Sequence, residues 1–111
     1  MTQVITRESL QSRMQHGAIL VEALPEKYYR DWHLPGALHM PHDQVRQLAS
    51  ALLPDKDADI VVYCASDTCQ NSHIAANLLG SMGYTRVSVY AGGKKDWSEA
   101  KLRVESIAVT P

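Results

Sequence analysis

Three short apolar runs constrain this chain more than anything else in it. They are "AILVEA" (18–23), "DIVVYC" (59–64) and "RVSVY" (86–90). A strand with one wet face alternates apolar and polar residues, whereas a nearly continuous run, as in the first two, suits a strand covered on both faces; the third alternates or is buried. Between the runs lie segments with helical spacing. Strands alternating with helices at such short intervals pair in parallel, with helices on either side. The expectation is a three-layer α/β fold with a mostly parallel sheet.

The remaining elements fill in around those runs. Val4 and Ile5 suit a short first strand. Thr6 can cap a helix to about His16, with Leu10 and Met14 on one face and Gly17 as the stop. "LPEKYYRDWHLPGALHMP" gives a short helix from Pro25, a turn at Pro35-Gly36 and a strand at Ala37–His39. Asp43 is placed to cap a helix to Leu53 that buries Val45, Leu48, Ala49 and Leu52. Asn71 or Ser72 can cap the next helix, which carries Ile74, Ala75, Leu78 and Leu79 inward and closes at Gly83. Gly92-Gly93 reads as a turn and "KKDWSEA" as a last helix.

The 111 residues suit one domain spanning 1–111, with a core over about 3–103 and a weakly patterned tail at 104–111. Apolar residues make up 45% and the formal net charge is -1, which gives no electrostatic reason to expect nucleic acid or an anionic membrane as partner. No stretch approaches the roughly 20 apolar residues of a membrane span. The first residues, "MTQVITRESLQSRMQHG", do not pair a basic start with an apolar block, so the expectation is a cytoplasmic protein without a secretory leader. Two cysteines in such a compartment are expected as thiols.

Both of those cysteines fall in one short loop. Cys64 ends the most apolar run, and Cys69 stands just before a helix. In parallel α/β sheets, ligands sit beyond the carboxyl ends of strands. A helix N-terminus or a nest of N–H groups there stabilises a thiolate. Ala65, Ser66, Asp67, Thr68, Cys69 and Gln70 are mostly small, and such a loop can curl its amides toward one sulfur. Three readings stay open on position alone. Cys64 is a nucleophile, or it is a buried residue at a strand end. Cys69 is a resolving thiol for Cys64, or a packing residue. Cys64, Cys69 and His73 could also ligate a metal with His33, His39 or His42, although a second close cysteine pair is missing. A phosphatase of the C-x5-R type is disfavoured, because Gln70 and Ala75 stand where arginine would be needed.

Taken together, three motifs resemble the rhodanese family. Tyr63-Cys64, Ala75-Ala76, Gly83-Tyr84, Val87–Tyr90, Gly92-Gly93 and Trp97 follow the order typical of its second half. Upstream, Tyr29, His33, Pro35, Gly36, Ala37 and Pro41 match its "Y-x-x-G-H-I-P-G-A-x-x-I-P". The likeness covers residues 3 to 103. It implies a five-stranded, mostly parallel sheet between helices and a sulfurtransferase with no cofactor. It further implies that Cys64 takes a sulfane sulfur from a small sulfur-containing anion, such as thiosulfate, or from a protein persulfide. The Cys64 persulfide then passes the sulfur to a thiol acceptor. The backbone from Ala65 to Gln70 would cradle the persulfide.

Several departures bear on that reading. The loop has no glycine and no basic residue, and it carries Asp67. A carboxylate turned toward the cysteine would raise its pKa and repel an anionic donor; one turned to solvent would not. The loop is about two residues longer than usual before Ala75-Ala76. Some single-domain members resemble its C-x4-C-x2-S form. The family's usual "D-V-R" is replaced by Glu22-Ala23-Leu24, where other packing is expected without loss of activity. Lys94 or Lys95 could attract an anionic donor and offset Asp67; the alternative is a solvated pair. Tyr28, Tyr29 and Trp32 are expected as core and rim aromatics, and His33 as a backbone hydrogen-bonding residue. The competing function is a non-enzymatic or redox-sensing module of the same fold, built on the Cys64/Cys69 pair.

Overall fold

The computed structural model describes residues 2–107. Along the chain run β1 (Gln3–Ile5), α1 (Arg7–Gln15), β2 (Ile19–Glu22), α2 (Glu26–Asp31), β3 (Leu38–His39), a 3-10 turn (His42–Gln44), α3 (Val45–Leu52), β4 (Ile60–Tyr63), α4 (Asn71–Ser81), β5 (Val87–Tyr90) and α5 (Gly93–Glu99). The five strands form one sheet in the order β1-β5-β4-β2-β3, and every strand pair is parallel. The three apolar runs occupy its centre, where both faces are covered.

Alternation along the strands sorts the core into two clusters. Val21, Ile60, Val62 and Val89 face one side, with Val45 and Ala49 of α3 and Ala75, Ala76 and Leu79 of α4. Leu20, Val61, Tyr63 and Tyr90 face the other, with Leu10 of α1, Leu34, Ala37 and Trp97 of α5. Cys64 follows the parity of Ile60 and Val62, so its sulfur turns toward α4. Glu22 follows Leu20 and turns toward the α5 side.

Local chemistry explains most element ends. The Thr6 hydroxyl accepts the Ser9 N–H at 3.2 Å, capping α1 as its sequence position suggested. Gly17 follows that helix at φ +89°, a backbone conformation that suits glycine. Two expected caps are not used. Gln44, not Asp43, precedes α3, because the chain enters that helix through the 3-10 turn. Gln70 precedes α4, and Asn71 and Ser72 lie inside its first turn. Ile74, expected inward, is exposed, whereas Ser72 is buried. Of the tail at 104–111, residues 108–111 lie outside the described residues, and the part up to 107 is tied to the domain. Glu105 forms an antiparallel bridge with His33, and its carboxylate accepts the Gly36 N–H at 2.8 Å.

Candidate active site

The cysteine loop is held at its start by α5. Lys94 N–H donates to the Cys64 carbonyl at 2.9 Å, and Lys95 N–H donates to that of Ala65 at 2.8 Å. Gly93 makes this contact possible. Its φ is +62°, and a Cβ on it would sit 2.4 Å from the Cys64 carbonyl oxygen. The sequence offered Gly92-Gly93 only as a turn; the requirement at 93 comes from a segment nearly thirty residues away in the chain.

Past Ala65 the chain makes a tight turn, closed by Cys69 N–H donating to the Ser66 carbonyl at 3.1 Å. The Ser66 and Thr68 hydroxyls lie 3.1 Å apart. Ala65, Asp67, Thr68 and Gln70 are exposed, while Ser66 and Cys69 are half-buried. Asp67 therefore takes the solvent-facing option. Among the described residues, the amides of Ser66, Asp67, Thr68 and Gln70 make no hydrogen bond. They do not converge on the Cys64 sulfur.

What meets that sulfur is the first turn of α4. Cys64 Sγ lies 3.3 Å from the Ser72 hydroxyl and 3.5 Å from the Cys69 carbonyl oxygen. The Ser72 amide also points at it. As a thiol, Sγ donates to one of the two oxygens. As a thiolate it can accept from the Ser72 hydroxyl and amide, while the Cys69 carbonyl opposes its charge. In the sequence Ser72 stands as a cap candidate and as the serine of the C-x4-C-x2-S form, with no contact to Cys64 read from either. Its spacing one helical turn before Ala75-Ala76 was the available signal for an inward-facing position.

The expected stabilisation of a Cys64 thiolate needs correction. Cys64 is 1% exposed. Its pKa is raised rather than lowered, first by burial and then by the adjacent Cys69 thiol, with the Ser72 hydroxyl and amide pulling the other way. Both follow from the parity of β4, which turns the side chain after Tyr63 under α4 instead of out through the loop.

Lys94 is neither a solvated lysine nor a free cation at the loop. It is buried, with its ammonium 3.2 Å from Glu22 Oε1 and donating to the Tyr28 carbonyl at 2.8 Å. The ammonium also lies 4.6 Å from the centre of the Trp32 ring. Glu22 is fully buried and accepts the Tyr63 hydroxyl at 2.9 Å; that hydroxyl in turn accepts the Leu34 N–H at 3.1 Å. Burial raises the Glu22 pKa and lowers that of Lys94, each offset by the partner's charge. This is the packing that replaces "D-V-R". Lys95, by contrast, is exposed.

The aromatic segment is structural. Tyr29 stacks on His33 and His39, its hydroxyl donates to the Ala37 carbonyl, and His33 Nδ1 bonds the Tyr29 carbonyl at 2.8 Å. Trp32 packs against the second cluster, and Tyr28 is exposed. Among the described residues, no three His, Cys, Asp or Glu side chains are gathered so as to hold a metal ion. No helix there is long and apolar enough to cross a membrane.

The rhodanese-like domain family matches residues 6–100. Thiosulfate sulfurtransferase PspE of Escherichia coli (strain K12) is 35% identical over 80 residues, covering 72% of this chain and 73% of that protein. Thiosulfate sulfurtransferase GlpE of Haemophilus influenzae is 30% identical over 102 residues, covering 92% and 93%. The crystal structure of the Alr3790 protein from Anabaena sp. superposes with a TM-score of 0.82 at 31% identity, covering 93% of this chain and 80% of that one. The chain belongs to the rhodanese-like family and is a rhodanese-like sulfurtransferase.

Proposed function

We propose that this protein, working in the cytoplasm, moves a sulfane sulfur through a persulfide on Cys64. The donor is thiosulfate or a protein persulfide, and the acceptor is a thiol. With thiosulfate, the Cys64 thiolate attacks the outer sulfur, the S–S bond of the donor breaks, and sulfite leaves with the electron pair. The new Cys64 persulfide anion then gives its outer sulfur to an acceptor thiolate, and the Cys64 thiolate returns.

The observation that carries this reading is the polar surrounding of one sulfur. Cys64 Sγ sits at the end of the central strand against the Ser72 hydroxyl, 3.3 Å away, and not in hydrocarbon. An oxygen–hydrogen donor and an amide aimed at Sγ stabilise charge on that atom when it attacks the donor and again when it leaves as the thiolate. The loop of Ala65, Ser66, Asp67, Thr68, Cys69 and Gln70 walls the donor's approach, with unengaged amides to meet its oxygens. Lys94 serves through its amide, which fixes the Cys64 carbonyl; its side chain belongs to Glu22.

The test is a mass measurement. Reduced protein incubated with thiosulfate, or with a low-molecular-weight persulfide, gains about 32 Da on the peptide carrying Cys64. If that gain persists in Cys64→Ser, the sulfur is carried elsewhere and the assignment fails.

A further inference from the structure

Cys64 and Cys69 share a loop but not an environment. Cys64 is 1% exposed, so a thiol on a folded acceptor protein reaches its sulfur less readily than it would a thiol at the surface. Cys69 is half-buried, at the outer end of the turn that begins at Ser66. Cys64 Sγ lies 3.5 Å from the Cys69 carbonyl oxygen, which places the two residues against each other. A second sulfur on Cys64 extends about 2 Å beyond Sγ, which lengthens its reach toward a neighbouring thiol.

Resting on the Cys64 persulfide reading, we propose that Cys69 is a relay thiol that takes the outer sulfur from Cys64 and presents it to a protein thiol acceptor. The Cys69 thiolate attacks the outer sulfur of the Cys64 persulfide. One S–S bond breaks and one forms, and the proton lost by Cys69 ends on Cys64. No electrons are gained or lost, so the step needs no oxidant or reductant.

Electrostatics favours the same direction. Burial, together with the nearby Cys69 thiol, raises the Cys64 pKa and so favours a neutral thiol at the inner position. The anionic persulfide is better solvated at the half-exposed one. The alternative attack, on the inner sulfur, would expel sulfide and leave a Cys64–Cys69 disulfide that needs an external reductant.

The experiment loads the wild-type chain with thiosulfate, alkylates it at once, and locates the added sulfur by fragmenting the peptide that holds both cysteines. The relay predicts most of the label on Cys69. It also predicts that Cys69→Ser and Cys69→Ala carry the label on Cys64. In both variants, the ratio of transfer to a folded protein thiol over transfer to cyanide falls about ten-fold. Label confined to Cys64 in the wild type overturns the relay. So does a loss of about 2 Da with release of sulfide, the mark of a disulfide. An unlabelled Cys64 in the Cys69 variants would overturn the underlying persulfide reading itself.

Discussion

Tyr63 and Cys64 are adjacent in the chain, both buried, and send polar atoms to opposite faces of the sheet. On one face the Tyr63 hydroxyl joins Glu22 and Lys94 in a network where each charge has a counter-charge. On the other, Cys64 Sγ has one hydroxyl, one amide and one opposing carbonyl. Equal burial thus gives two outcomes. A closed set of partners fixes charge and holds helices to the sheet. An incomplete set leaves an atom whose charge is costly at rest and is stabilised only in part. The first is a structural device; the second suits a group that must change its covalent state.

That contrast can be broken most forcefully at Cys64. Cys64→Ser is expected to lower sulfur transfer by at least about a thousand-fold while leaving the unfolding midpoint close to that of the parent. A large loss of stability instead would make the sulfur a packing element. On the other face, Lys94→Met leaves Glu22 buried without its counter-charge. We expect a loss of about 3 kcal/mol in urea unfolding. The loss should grow with pH. A buried carboxyl with a raised folded value contributes stability below its unfolded value of about 4.3, and loses it as pH climbs through the folded one. A pH-independent loss would argue against the ion pair.

Gly93→Ala touches both regions, because α5 carries Lys94 on one side and grips the cysteine loop on the other. A left-handed backbone for alanine costs about 1–2 kcal/mol, and the contact with the Cys64 carbonyl adds to it. Thermal stability and transfer rate should fall together. Separate behaviour would show that the grip does not position the sulfur.

Smaller changes sharpen the comparison. Ser72→Ala removes the hydroxyl at 3.3 Å and should slow persulfide formation about ten-fold near pH 7. In the parent, the rate should keep rising with pH beyond the ordinary thiol value of about 8.5, because burial raises the Cys64 pKa. In Ser72→Ala that rise should shift further upward. A stopped-flow pH profile that levels off below pH 8 would contradict the geometry. Smallest of all, Asp67→Asn on the exposed turn should improve thiosulfate use about two-fold at low ionic strength and not at high.

Local pattern made much of this legible. The runs at 18–23, 59–64 and 86–90 gave the central strands because periodicity over a few residues decides burial on both faces. Thr6 and Gly17 gave the bounds of α1 through side-chain and backbone chemistry of their own. Ile74 was misread because α4 buries a narrow stripe of three small residues, Ser72, Ala75 and Ala76, with Leu79, and hydropathy ranks isoleucine above all of them. The site was legible only in part. A cysteine at a strand end marks the place, but an exposed loop curling over it and a helix turn beneath it share one sequence signature.

By itself, then, the sequence determined the order of strands and helices, the family, and the position of Cys64 at the end of the central strand. Only the tertiary structure decided that Glu22 meets Lys94, that Ser72 rather than the loop meets the sulfur, and that position 93 excludes a side chain. The reason is range. Periodicity and caps act over one to four residues, whereas these contacts join residues 72, 8 and 29 positions apart and exist only once parallel strands have brought their carboxyl ends together.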